Sequence, residues 1–236
     1  MKSILLTMIL ICFTAHAFAQ DTVKAVGPEL VERTNDTSLG LHEKYTVLKT
    51  DKKVKHGLFQ AFYNGKTLVA SGKYDNGKQV GAWRYCEANG KVNQVYSYTN
   101  KKLIYNQKPD TAFAEFDFDG KINPTDTLTH PVKIGGLMYG YWFVINASVK
   151  QFSTDMRNMG IKTPVRCINI LNINADGILT RWQLVAINGD FKKKYEVPID
   201  KLTDFDKLFV AATQNGKNIA SVAYIKTYTT FYSGID

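Results

Sequence analysis

The sequence predicts an α+β protein: an N-terminal antiparallel β-meander, then a small α-β-β-α-β domain with a three-stranded antiparallel sheet. Three observations predict it. Asn-Gly pairs recur at Asn64-Gly65, Asn76-Gly77 and Asn89-Gly90, with alternating aromatic residues between them. Asn-Gly suits a tight hairpin because both central residues of a type I′ turn need positive φ. Over residues 138–159 the apolar residues instead recur at steps of three and four, the period of an amphipathic helix. Two β-rich runs, Val165–Ile173 and 178–187, flank Ala175-Asp176-Gly177 and read as a hairpin.

The elements follow in order. Residues 1–19 read as a secretory signal peptide. Lys2 is the positive start, residues 4–13 are apolar apart from Thr7, and Ala17-Phe18-Ala19 gives the small-x-small cleavage pattern. The mature chain then begins at Gln20. The apolar run is shorter than the roughly 20 residues of a membrane span, and an uncleaved anchor is the alternative. Residues 20–44 are a polar leader, extended or loosely ordered. Residues 45–107 hold an internal repeat. Gly57-Leu58-Phe59 aligns with Gly81-Ala82-Trp83, and Tyr74-Asp75-Asn76 with Tyr98-Thr99-Asn100. After a one-residue slip, Asn64-Gly65-Lys66 aligns with Asn89-Gly90-Lys91. Phe59-x-Ala61-x-Tyr63 and Trp83-x-Tyr85 alternate as half-buried strands do, giving a meander of about four to six strands.

Residues 108–130 form a connector punctuated by Pro109, Pro124 and the following Pro131. Within it Phe113-x-x-Phe116-x-Phe118 suggests one strand before the Asp119-Gly120 turn. Residues 131–236 form the C-terminal domain. Its first helix presents Met138, Tyr141, Trp142, Ile145, Val149, Phe152, Met156 and Met159 on one face, with Gly160 as a left-handed cap. A second helix is expected over 199–212, with Asp200 as N-cap and Ile199, Leu202, Phe205, Phe209 and Ala212 on one side. Asn215-Gly216-Lys217 ends that unit, and residues 219–231, dense in Tyr, Thr and Val, form the closing strand.

The formal charge is +9, with lysines dispersed in small clusters at Lys52-Lys53-Lys55, Lys101-Lys102 and Lys192-Lys193-Lys194. Nucleic-acid recognition would concentrate them on one element, so a solvated basic surface is expected and no nucleic-acid partner. An anionic membrane surface or polysaccharide is the minority reading. Cys86 and Cys167 fall in different expected domains and read as buried, unpaired thiols. No GxSxG, HExxH, phosphate-loop or dinucleotide fingerprint is present. Asn172-x-Asn174-x-Asp176-Gly177 mimics a calcium loop, but the first position is not Asp and the twelfth is Gln183 rather than a bidentate Glu. His42, His56 and His130 are scattered, and Trp83, Trp142 and Trp182 fall on apolar faces. The chain therefore reads as a non-enzyme with no cofactor and no metal.

Gly57-x-Phe59-x-x-Phe62-Tyr63-Asn64-Gly65-Lys66, and Gly81-x-Trp83-x-Tyr85 through Asn89-Gly90-Lys91, resemble MORN-type repeats. That resemblance implies interaction or spacer modules. Residues 131–232 resemble the C-terminal domain of TonB-like proteins. The carriers are Gly135-Gly136, Gly160-Ile161, Asn174-Ala175-Asp176-Gly177, Asn215-Gly216-Lys217 and Thr230-Phe231. The chain departs from that family where a Tyr-Pro is usual near the end of the first helix, here Lys150-Gln151-Phe152-Ser153. It departs again where an aromatic-x-Pro is usual, here Phe209-Val210-Ala211.

The TonB resemblance implies an envelope protein of a Gram-negative-type bacterium. It would pair its closing strand with a peptide of another envelope protein, such as an outer-membrane transporter. The residues expected to do so are Ile219, Ser221, Val222, Ala223, Tyr224 and Lys226. The competing expectations are a strand buried in the core with its edge covered, a purely structural spacer, and a polysaccharide-binding protein.

Overall fold

Seven strands run up and down in sequence order: β1 (Leu30–Asp36), β2 (Leu41–Leu48), β3 (Lys55–Tyr63), β4 (Thr67–Asp75), β5 (Lys78–Cys86), β6 (Val92–Ser97) and β7 (Lys102–Asn106). The computed structural model describes residues 27–36, 40–108, 113–142, 144, 158 and 164–229. The expected signal peptide lies outside them, as does most of the expected first helix. All seven strands pair antiparallel with their neighbours. The sheet reaches back into the stretch read as a polar leader, which supplies β1 and part of β2. Their hydrogen bonding is carried by residues too polar to show a strand period.

The turn chemistry follows the sequence closely. Asn64 and Gly65 take φ of 48° and 67°, and Asn76 and Gly77 take 46° and 81°. Both pairs fit type I′ turns. At the third pair only Gly90 is left-handed, with φ of 84°. The repeat glycines Gly57 and Gly81 also sit at positive φ, 90° and 66°. That conformation, which side chains resist, explains why glycine recurs there.

One face of the meander carries a continuous aromatic layer. Trp83, Phe59 and Tyr85 are buried, and Trp83 lies within 5.2–6.2 Å of the ring centres of Phe59, Tyr74, Tyr85 and Tyr98. A single sheet cannot bury such a face alone and needs a second layer. Here Ile134, Tyr139 and Trp142 from the following half supply it. Tyr139 stacks on Tyr85 at 6.1 Å and donates to Glu43 at 3.1 Å. Burial raises the Tyr85 and Tyr139 phenols well above their ordinary value.

A second sheet holds β8 (Ala114–Phe118), β11 (Val165–Ile173), β12 (Leu179–Asn188), β13 (Phe191–Glu196) and β17 (Ser221–Thr229), in the order β13-β12-β11-β17-β8. The three-stranded sheet expected here is thus five-stranded. The β11–β12 hairpin stands where the sequence places it. β13 adds one edge, its lysines masking the apolar alternation of Phe191 and Tyr195. The strand Phe113-x-x-Phe116-x-Phe118 of the connector adds the other as β8. The closing strand is broken at Ala220, leaving β16 (Lys217–Ile219) to pair with β15 (Ala212–Gln214), which in turn pairs with β9 (Leu128–Thr129). Asn215-Gly216 turns between β15 and β16 at φ of 52° and 77°.

The helix expected over 199–212 is replaced by one turn, Asp204–Lys207, capped by Thr203 rather than Asp200. Thr203 and Asp206 satisfy each other's backbone N–H in a capping box. Past Leu208 the chain becomes β14 (Phe209–Val210) and pairs with β10 (Val132–Lys133). A short helix has little stability of its own, so tertiary pairing takes the apolar residues. Phe209 enters the second core, while Phe205 and Leu208 pack on the first. In the first expected helix, the described start is a π-type turn, Gly136–Gly140, followed by buried Tyr141, Trp142 and Val144. Cys86 and Cys167 are both buried, and no disulfide joins them. Among the described residues no helix is long and apolar enough to cross a membrane.

Candidate functional site

The closing strand is an interior strand. β11 occupies one edge of β17 over its whole length, and β8 occupies the other from Ser221 to Ile225. Ser221 and Ala223 are buried, and Val222 is half-buried between Asn172 and Asp117. The Tyr224 hydroxyl donates to Asp117 at 2.8 Å, and Lys226 is ion-paired with Glu115. Ile219 stands apart on β16. Five of the six residues expected to pair with a partner therefore lie on one strand, but its pairing groups there are used within the chain. An added strand cannot enter at that edge without displacing β8.

The outer edges of the two sheets differ in character. β13 presents Lys192, Lys193 and Lys194, a usual protection against edge pairing. β1 is exposed almost throughout and carries Glu32, Arg33 and Asp36. β8 carries Glu115 and Asp117, and its Phe116 and Phe118 stack with His130 at 4.6 and 5.6 Å. β7 is the exception. It ends the seven-stranded sheet with Ile104 60% exposed and Tyr105 46% exposed.

Beside the end of β7 lies the junction between the two sheets. Gln94, buried on β6, holds it. Its Oε1 accepts the N–H groups of Gly135 and Gly136 at 2.8 and 3.1 Å. Its Nε2 donates to the Lys133 carbonyl at 3.0 Å and to Asn106 Oδ1 at 2.9 Å. Lys133 is 2% exposed, and its Nζ donates to the carbonyls of Ile134, Phe205 and Leu208 at 3.0, 2.7 and 3.0 Å. The ammonium also lies over the rings of Phe205 and Phe209, 4.5 and 5.2 Å from their centres. Burial lowers Lys133 to about 7, with the Asp206 carboxylate pulling the other way. One buried cation thus ties β10, the helical turn and β14 together.

Between β6, β7, β8 and the Gly136 turn is a cavity of about 40 Å³. Its walls include Phe113, Phe116, Leu137 and Tyr141, with the carboxamides of Asn93, Gln94, Asn106 and Gln107. Binding sites for metabolites are typically several hundred Å³, so this cavity suits water or one small group. Among the described residues no three His, Cys, Asp or Glu side chains converge as a metal site would require. His42 pairs with Asp36, His56 lies 3.5 Å from Asp75, and His130 stacks on phenylalanines, all in separate places.

No protein-family model matches the chain, and no curated protein or solved structure matches it. The MORN-like and TonB-like readings therefore rest on the residues that carry them.

The sequence carried a signal for the junction. At the offset that matches Gly57 with Gly81 and Tyr74 with Tyr98, Val69 and Ala70 of β4 correspond to Asn93 and Gln94 of β6. Two adjacent amides replace two apolar residues in a buried strand, and that substitution marks where the polar junction forms. Ile104 and Tyr105 give no such signal, because alternation alone does not say which strand of a meander is outermost.

Proposed function

We propose that this chain is a non-catalytic, exported protein-binding module of the cell envelope that accepts an extended partner segment as an added strand along β7. The observation that carries the reading is the exposed apolar pair Ile104 and Tyr105 on an outermost strand. Strand addition draws its affinity from main-chain hydrogen bonds and its specificity from alternate side chains. β7 offers both, whereas β17 offers neither and β13 is guarded by lysines. The MORN-like cadence supports an interaction role over catalysis. The signal-like residues 1–19 support an envelope partner, and the +9 charge favours an acidic one.

The test places a photo-crosslinking amino acid in place of Ile104, and separately in place of Lys192 on the guarded edge, in cells making the full chain. Discrete adducts from the first position and none from the second support strand addition at β7. No adduct from Ile104, or the same adducts from both positions, overturns it and leaves the chain a structural spacer.

A further inference from the structure

The four carboxamides around the junction cavity are not equally used. Gln94 spends both ends on Gly135, Gly136, Lys133 and Asn106, as described above. Asn106 accepts from Gln94 and donates to the Gln107 carbonyl at 3.1 Å. Asn93, only 2% exposed, has no partner among the described residues at either Nδ2 or Oδ1, and Gln107 has none at Oε1. Buried amide groups left unpaired are costly, and in native proteins they are rare enough to demand an explanation.

The unused groups define what would satisfy them. Asn93 presents a donor and an acceptor side by side, and Gln107 adds an acceptor. A carboxylate would serve the Asn93 donor but repel both acceptors. A guanidinium or ammonium would serve the acceptors and leave the donor unpaired. A neutral carboxamide supplies an N–H pair and a C=O in one plane and meets all three. Among the described residues lining the cavity there is no carboxylate. Lys133 lines it, but its ammonium is turned to three carbonyls and two rings. Phe113, Phe116 and Tyr141 provide apolar walls for the alkyl part of such a group.

We propose that this cavity is a specificity pocket for a side-chain carboxamide, that of an Asn or Gln in the partner strand. This rests on strand addition at β7, because Asn106 and Gln107 at the end of β7 form one wall of the pocket. A peptide aligned on that edge would pass its mouth. Gly136 is part of the same construction: a Cβ there would lie 2.5 Å from Asn93 Oδ1. Glycine lets the Asn93 amide reach the pocket.

The test uses propionamide as the probe, with propionate and butanone as controls lacking the donor. The full chain is titrated while the side-chain amide resonances of Gln94 and Gln107, which line the same cavity, are followed by NMR. Saturable shifts with propionamide, with Kd on the order of 10 mM for so small a ligand, are expected, at least about tenfold weaker for either control. Asn93→Leu should abolish them. Asn93→Asp, which keeps the shape and removes the donor, covers the case in which the leucine variant fails to fold. Shifts that are linear in propionamide, equal for the controls, or retained in both variants mean that the cavity holds water only and overturn the pocket. Propionamide needs no strand pairing, so this result stands apart from the crosslinking outcome at β7.

Discussion

Lys133→Met separates the charge of the buried lysine from its bulk. Methionine has a similar length and is apolar, so it can keep the place between Phe205 and Phe209. Two of the three carbonyls that receive the ammonium keep another partner. Phe205 O accepts from Leu208 N at 3.2 Å, and Leu208 O from Ile134 N at 3.4 Å. The distinctive effect is therefore on pH dependence. The lysine holds its proton to an ordinary value of 10.5 in the unfolded chain but only to about 7 in the fold. Between those values the unfolded chain binds more protons, so the native protein gains stability as pH rises. Each unit of pH within that window contributes at most about 1.4 kcal/mol. From near pH 7 to near pH 9 the gain sums to roughly 2 kcal/mol. Cys86 and the buried tyrosines, whose groups are raised by burial, act in the opposite sense only at still higher pH. Lys55 is lowered by burial and is common to both proteins, so it cancels in the difference. Urea unfolding of the native protein and of Lys133→Met across this range gives the two slopes. The native curve should rise more steeply than the variant curve, by that difference over the range. Parallel curves would refute the argument. They would mean that the three carbonyls and two ring faces hold the proton against desolvation.

Gly72→Ala should cost about 3 kcal/mol or more, at the upper end of overpacking penalties. A Cβ there would fall 2.2 Å from the Trp83 indole, whose displacement would loosen the aromatic layer; urea midpoints and near-UV circular dichroism would read it. Gln94→Leu should destabilise by about 3 kcal/mol or more, because the N–H groups of Gly135 and Gly136 lose their acceptor in a buried place. Thermal unfolding measures that loss, and an unchanged midpoint would show that the junction does not depend on this side chain.

Much of the meander was legible in the sequence because its information is local. Asn64-Gly65 and Asn76-Gly77 demand positive φ at adjacent residues, and the alternation of Phe59, Ala61 and Tyr63 fixes which side faces the core. The β11–β12 hairpin was legible for the same reason, with Asn174 accepting the N–H groups of Asp176 and Ile178 within the turn. The helical period over 199–212 misled because Phe205 and Phe209 serve two different cores, not one helix face. β1 was hidden because its residues are exposed and polar.

The sequence by itself determined the hairpins of the first sheet and the β11–β12 hairpin, since turn geometry and alternation act over a few residues. Only the tertiary structure decided that β8 closes the edge of β17 and that β7 is the outermost described strand of the first sheet. It also decided that Asn93, Gln107 and Lys133 meet at one junction. Ser221 and Phe118 are neighbours across the sheet although they lie 103 positions apart along the chain. Nothing in either segment's own pattern names the other; their pairing follows from burying both sheets' apolar faces in one fold.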